Sequence, residues 1–508
     1  MKIKKLWMVI IGIIFFILSG CESGGMQVVD KQDGFYSEQY RPQYHYSSKV
    51  GNLADPNGLV FFEGEYHLFH QQNGTWGHAI STDLFHWKQQ EVALEHDILG
   101  QALSGSVVVD WNDSTKFFDG KAGLVAIYTN TSGGQAQSIA YSKDKGRTWE
   151  RYEGNPVIKN PNLKDFRDPK VFWHEESKKW VMVVSTDKSV TFYHSDNLID
   201  WTYLSKFGDN QGSQVAVWEC PDLFKLKING EEKWVLHVSV GDNDITNGST
   251  AQYFIGEFNG KEFINQNDPQ TELFTDYGQD YYATQTFSDI PDKDGRTIWL
   301  GWMSNWRYPY QSPTEPWMGA MSIPRELSLH KDQDGKIHLV QQPAKEVEKL
   351  RSNQKNIKAF TIKNEAKKID FTGRTYEIEA ELEWDQLNEF GIRLRKGKEN
   401  ETVVGYNQKE QKVFLDRSKA GLDVIEDRNQ GEFQFGRKYE ASLPTDNKIM
   451  KCRIFVDESS IEVFINDGEK VFTNLIYTDE QNDGIEIYVD EGELSVKSMN
   501  IYPLKSIW

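Results

Sequence analysis

The sequence predicts an all-β protein, a five-bladed β-propeller followed by a C-terminal β-sandwich. Three observations carry this expectation. From about Tyr40 to Val340, short apolar or alternating runs are punctuated by Gly, Asn, Asp and Pro, the texture of strands and turns. Within that region a unit recurs: His78-Ala-Ile-Ser-Thr-Asp leads to Trp87, Ile139-Ala-Tyr-Ser-Lys-Asp to Trp149, and Phe192-Tyr-His-Ser-Asp to Trp201. Its serines, Ser81, Ser142 and Ser195, lie 61 and 53 residues apart, about the length of one four-stranded blade with its loops. Finally, 13 of the 16 tryptophans fall between Trp76 and Trp317, which marks one structural unit with aromatics packed between neighbouring blades.

Gly256-Glu-Phe-Asn-Gly-Lys-Glu-Phe263 reads as a weaker copy of the unit, and the available length suits five blades. Around Pro343 the composition shifts. Lys345 to Ser352 is expected as a short helix, followed by the lysine-rich stretch Lys355 to Lys368. Strands then resume: Thr402 to Tyr406, Lys412 to Asp416, Cys452 to Asp457, Ser460 to Asn466 and Gly484 to Val489 mix apolar and polar residues as half-buried strands do. The expected organisation is a propeller over 38–342, a linker over 343–365 and a sandwich over 366–508.

The first residues read as a leader. Lys2, Lys4 and Lys5 precede an apolar run over 6–18, too short for a comfortable membrane span. Leu18-Ser19-Gly20-Cys21 resembles a bacterial lipoprotein box, so residues 1–20 are expected as a signal peptide and Cys21 as the lipidated residue. Residues 21–37 would then tether the protein to the outer face of the cell membrane, its only membrane contact. Of the remaining cysteines, Cys220 and Cys452 are far apart, which argues against a disulfide framework. The net charge of −19 falls to −22 once the three leader lysines are removed. Such a surface repels phosphate backbones and excludes nucleic acid as a partner, while a neutral polysaccharide is compatible.

No Gly-rich phosphate loop and no Cys/His metal spacing occurs, so neither metal nor organic cofactor is expected. The chemistry is therefore sought among carboxylates at strand ends. Asp55 lies in Asn52-Leu-Ala-Asp-Pro-Asn-Gly58, where Pro56 biases it away from helix and Asn57-Gly58 permits a tight turn. Asp168 lies in Phe166-Arg-Asp-Pro-Lys170, beside an arginine able to keep it ionised. Glu219 lies in Trp218-Glu-Cys-Pro-Asp-Leu-Phe224, wedged among apolar groups whose desolvation would suit a general acid. Taken singly, each motif is equally a structural turn or a buried ion pair.

Together and in this order they resemble the signature of glycoside hydrolase family 32, the levanase, inulinase and invertase type, and within it bacillus-type levanases. The resemblance extends to Tyr66-His-Leu-Phe-His-Gln71, Leu103-Ser-Gly-Ser106, Gly301-Trp-Met-Ser-Asn-Trp306, Ser322-Ile-Pro-Arg-Glu326 and Ile454 to Phe464. It implies a retaining hydrolase of β-fructofuranosyl linkages in fructan (levan or inulin) or sucrose, with Asp55 as nucleophile, Glu219 as acid/base and Asp168 gripping fructose hydroxyls. It also implies sugar contacts at Asn52, Gln71, Trp76, Ser104 and Arg167, with Trp302 lining the pocket; blade packing is the other role open to the two tryptophans.

Two departures from the family pattern stand out. Asn52-Leu53-Ala54 replaces the usual Trp-Met-Asn, and only four residues separate Gln71 from Trp76. Both remove bulk and imply a wider, weaker first subsite that favours longer chains or internal cleavage. Two rival functions fit parts of the sequence: an inverting arabinan- or xylan-type propeller glycosidase, and a non-catalytic fructan-binding lipoprotein.

Overall fold

The computed structural model describes residues 34–332, 334–445 and 447–508. The expected signal peptide, the expected lipidation residue Cys21 and most of the expected tether lie outside them. The compact unit runs from Tyr36 to Trp508, and none of its helices is long and apolar enough to cross a membrane.

Five antiparallel blades follow one another along the chain, each with a four-stranded path, and the short strand Ala320–Met321 adds a fifth to the last sheet. Blade 1 comprises Pro56–Phe62, Glu65–Gln72, Thr75–Ser81 and Lys88–Gln89; blade 2, Ala102–Asp110, Gly123–Asn130, Ala136–Ser142 and Glu150–Arg151; blade 3, Phe166–His174, Lys179–Thr186, Val190–Ser195 and Trp201–Phe207. Blade 4 comprises Trp218–Ile228, Glu231–Val240, Thr250–Phe258 and Phe263–Asn265, and blade 5, Tyr282–Thr286, Ile298–Met303, Arg325–Lys331 and Ile337–Pro343. The recurring sequence unit is the third strand of a blade and the turn behind it. Ser81 Oγ donates to Asp83 Oδ1 at 3.1 Å, Ser142 Oγ to Asp144 Oδ1 at 2.8 Å and Ser195 Oγ to Asn197 Oδ1 at 3.1 Å. In each turn the short polar side chain also caps following backbone N–H groups, which is why Ser and Asp or Asn recur there.

The innermost strand of every blade is irregular at the same level. Register shifts fall between Asn57 and Val60, Ala102 and Gly105, Arg167 and Lys170, Glu219 and Asp222, and Tyr282 and Gln285. Such bulges turn side chains off the regular alternation of a strand, and five of them ring one mouth of the propeller channel. Four use left-handed backbone, at Gly58 (φ 52°), Asp168 (64°), Cys220 (46°) and Ala283 (53°). A side chain at position 58 would also meet Val107 Cγ2 at 2.6 Å. Asp-Pro-Asn-Gly is accordingly not the isolated tight turn expected, but the bulged opening of the first inner strand.

Lys345–Leu350 forms a 3₁₀ helix that buries Val347 and Leu350. The stretch 343–365 is not a free linker. Lys355–Ile357 and Phe360–Lys363 pair with Gly484–Pro503, because their alternating side chains let Ile362 enter the sandwich core. Two strands of 21 and 20 residues, Tyr376–Lys396 and Gly484–Pro503, run through the sandwich sheet and pair along most of their length with three register shifts.

A buried ionic seam joins propeller and sandwich. His45, ahead of blade 1, places Nδ1 2.7 Å from Asp457 Oδ2 and Nε2 2.8 Å from Glu462 Oε1. Glu462 also meets Arg325 of blade 5, which lies 3.1 Å from Asp276. Nearby, Arg417 Nη1 donates to Asp280 Oδ2 at 2.6 Å. Burial favours neutral His45, but its two carboxylate partners outweigh that and raise its pKa to about 9.

Candidate active site

Asp55, Asp168 and Glu219 enter on three different blades and line one cavity of about 560 Å³ at the bulged mouth. Asp55 is only 8% exposed; the backbone of Ala54 and Asp55 exchanges hydrogen bonds with Gln71, fixing the carboxyl's origin. Ser104 Oγ donates to Asp55 Oδ2 at 2.9 Å, while Oδ1 has no partner among the described residues. With the Asn57 amide turned to satisfy its neighbours, Nδ2 donates to Ser104 Oγ at 3.3 Å and Oδ1 accepts from Gln71 Nε2 at 3.0 Å. Asn57, Ser104 and Asp55 then form one donor chain ending on the carboxylate.

The left-handed backbone at Asp168 and Cys220 brings these two bulges together. The Cys220 N–H donates to Asp168 Oδ2 at 3.0 Å, and the Asp168 N–H donates to Thr129 Oγ1 at 3.0 Å. Cys220 Sγ lies 3.8 Å from Asp55 Oδ2 and 3.6 Å from Asp168 Oδ2, so the thiol sits between the two aspartates. The apolar neighbours expected for Glu219 turn away: Trp218 is buried in the core between blades 3 and 4. Glu219 instead accepts from Arg167 Nη2 at 2.8 Å and Nε at 3.1 Å through Oε1, and from the Tyr282 hydroxyl through Oε2. Gln135 and Asp165 hold the far end of the same guanidinium.

These contacts set the electrostatics. Burial first, and then the charges of Asp168 and Glu219, raise the Asp55 carboxyl to about 7, against a smaller downward pull from Ser104. Burial also raises Asp168, to about 6, opposed by Arg167. Burial disfavours charge on Arg167, but Glu219 and Asp168 together hold it protonated. Tyr282 is kept neutral by burial and by Glu219. The site thus holds two buried carboxylates raised towards neutrality and a third between a cation and a phenol, the inventory of acid/base and nucleophilic chemistry at an acetal. Among the described residues no group of three or more His, Cys, Asp or Glu side chains is arranged to hold a metal ion.

Gln71, Ser104 and Arg167 line the cavity, and so does Asn52, which donates to Asn73 Oδ1 at 3.1 Å. Trp76 and Trp302 do not line it. Both are fully buried: Trp76 donates Nε1 to Leu103 O at 2.9 Å and packs between blades 1 and 2, while Trp302 lies beneath Trp306, ring centroids 5.2 Å apart. The aromatic wall comes instead from Trp306 and the half-exposed Tyr310. A sequence signal for them existed, since the blade 5 strand ends at Met303 and both rings follow in the loop beyond its end.

The glycosyl hydrolases family 32 N-terminal domain matches residues 45–343, and the family 32 C-terminal domain matches residues 346–503. The chain belongs to glycosyl hydrolases family 32. As a member it is a glycoside hydrolase. It is 48% identical to a levanase of Bacillus subtilis (strain 168) over 93% of this chain and 72% of that protein. It is 37% identical to the extracellular exo-inulinase of Aspergillus niger, over 93% and 96% of the two chains. The crystal structure of exo-inulinase from Aspergillus awamori superposes with a TM-score of 0.84 at 35% identity, covering 93% of this chain and all of that one.

Proposed function

We propose that this family 32 enzyme hydrolyses β-fructofuranosyl linkages in levan, inulin or sucrose by double displacement with retention of configuration. Asp55 attacks the anomeric carbon as Glu219 protonates the leaving oxygen, and Glu219 then deprotonates the water that frees the fructosyl unit. Asp168 accepts hydrogen bonds from fructose hydroxyls and faces the positive charge that develops on the ring. Arg167 and Tyr282 orient Glu219, and Ser104 orients Asp55. The convergence of three carboxylates from three blades on one cavity carries this reading, because a protein that only bound sugar would gain little from burying them at the cost of their desolvation. We further infer that Cys21 carries a lipid holding the enzyme on the outer face of the membrane.

Purified protein incubated with levan, inulin and sucrose should release fructose or fructo-oligosaccharides. Proton NMR of the first product should show the β anomer before mutarotation. Initial appearance of the α anomer would replace the mechanism by inversion, and no released sugar from any of the three would remove the assignment.

A further inference from the structure

A second cavity, of about 740 Å³, is at the other end of the propeller. The inner strands of blades 2 and 3 end here, at Asp110 and His174, and Lys225 of blade 4 and Asp289, just past the inner strand of blade 5, also line it. A buried plug separates the two mouths. Lys170 Nζ donates to Thr286 O at 2.7 Å and Oγ1 at 3.1 Å and lies 3.3 Å from Asp222 Oδ2, which accepts from the Thr286 hydroxyl at 2.8 Å. The far mouth is therefore a compartment of its own and not the floor of the catalytic cavity.

Its walls carry four indoles, Trp111, Trp173, Trp180 and Trp234. Trp111 is 56% and Trp173 39% exposed, an unusual cost for the largest apolar side chains. Each indole N–H is hydrogen-bonded to a carboxylate. Trp111 Nε1 donates to Asp289 Oδ1 at 2.7 Å, and that carboxylate is fixed in turn by the Val109 N–H at 3.1 Å. Trp173 Nε1 donates to Glu175 Oε2 at 2.7 Å, and its ring meets Trp180 edge-on at 5.3 Å. Between the indoles, the side chains of Asn112, Ser288 and Asp292 make no hydrogen bond to other described residues. The cations at this mouth are already engaged, Arg296 by Asp294, Glu326 and Glu346, and Lys225 by Glu176 and Glu232. Oriented indole faces beside uncommitted amide, hydroxyl and carboxylate groups, with every lysine and arginine that lines the cavity among the described residues already paired, suit a neutral polyhydroxylated ring and disfavour an anion.

We propose that this far mouth is a second carbohydrate site, which holds a neutral β-fructosyl chain against Trp111 and Trp173. The ligand class rests on the proposed function; the existence of the site rests on the cavity. The nine-residue inner strand of blade 3 separates the mouths by about 30 Å, so one chain reaches both only if it passes around the blades. Short substrates gain nothing from the far mouth. A polymer tethered there raises the local concentration of its own linkages at the carboxylates.

The test is a calorimetric titration of the Asp55→Asn protein, which cannot consume its ligand, with a purified β-fructosyl tetrasaccharide. Two ligands per chain are expected, falling to one when Trp111 and Trp173 are both changed to Ala, with the second affinity insensitive to salt between 50 and 500 mM because the ligand is neutral. Asn112→Arg, which fills the mouth without removing a packed ring, should have the same effect. In the active protein both sets of changes should leave kcat/KM on sucrose within twofold, which also reports an intact fold, and raise KM on high-molecular-weight levan at least threefold. One ligand per chain in the parent, or two in the altered proteins, overturns the second site. An absence of turnover on every fructan would instead count against the catalytic reading and leave the stoichiometry to judge the far mouth.

Discussion

The Ser104 hydroxyl donates to Asp55 Oδ2 at 2.9 Å, tying the bulge of blade 2 to the carboxylate that opens blade 1. Among the described residues, apart from the nearby Cys220 thiol, it is the only side-chain hydrogen bond to that buried carboxyl, and it opposes the upward push of burial and of two neighbouring acids. The protonation of Asp55 is thus set across a blade boundary, by a residue whose own hydroxyl is aligned by Asn57.

Removing that hydroxyl should shift the pH at which the enzyme becomes active. A hydrogen bond to a charged group contributes about 1.5 to 3 kcal/mol, or roughly 1 to 2 pH units in the carboxyl's titration. Ser104→Ala should move the acid limb of the kcat/KM profile upward by about that amount, losing on the order of tenfold at pH 6 and recovering towards pH 8. A loss that is equal at every pH would show that Ser104 contacts sugar and does not tune Asp55.

Asp55→Asn should separate activity from stability. The folded Asp55 titrates near 7, the unfolded one near the ordinary 3.8, so the folded state binds the proton more tightly. The stability this group contributes is present below about pH 4 and is lost as pH rises through 7. A neutral amide of the same shape escapes that loss. The variant should lose roughly 10⁴-fold or more in kcat yet melt about 1 to 3 °C above the parent at pH 8, with the gap closing towards pH 4. Scanning calorimetry at the two pH values checks the sign, and a variant that melts lower at pH 8 would contradict the desolvation of Asp55.

The repeat, the fold class and the three acids were legible because each leaves a local mark: Ser-x-Asp before a tryptophan, strand texture, and Asp-Pro or Glu-Cys-Pro ahead of an apolar run. What failed depended on direction. Trp76 and Trp302 sit in strands of blades packed on both faces, where alternation does not say which face meets a ligand; Trp306 and Tyr310, just past a strand end, reach the mouth. The left-handed backbone at Asp168 and Cys220 has no glycine to announce it. Tyr282 approaches Glu219 only because every blade carries its bulge at one level, a property of the assembled propeller. His45 was equally silent, since Glu462 lies 417 residues further along.

That histidine should make the protein lose stability in mild alkali. Burial works against its charge, but Asp457 and Glu462 raise its pKa to about 9 from the ordinary 6.5, so the folded state retains a proton that the unfolded chain releases. The stabilisation is complete below about pH 6.5 and disappears as pH rises through 9. His45→Gln should lower stability by about 3 kcal/mol or more at pH 6, where it leaves two buried carboxylates without their shared cation, and by much less at pH 9.5. Denaturant titrations at the two pH values test this, and an equal penalty at both would mean that His45 acts by packing alone.

The width of the catalytic mouth should decide which substrates the enzyme prefers. Asn52 and Ala54 line the cavity where the resemblance implies an aromatic and an amide, and among the described residues the Asn52 side chain is hydrogen-bonded to Asn73 of the short turn opposite. That leaves Trp306 and Tyr310 as the aromatic surface of the cavity, on the side of the blade 5 loop. A small ligand such as sucrose then meets an indole on one side and loses the contact on the other, whereas a long chain makes up the difference through its further units. The parent should therefore have a higher kcat/KM on levan than on sucrose. Asn52→Trp restores an aromatic at the rim, worth about 1 to 1.5 kcal/mol of packing against a sugar ring, and should raise the sucrose-to-levan ratio of kcat/KM roughly tenfold. Equal or better efficiency on sucrose in the parent, or an unchanged ratio in the variant, would show that the missing aromatic does not set the preference.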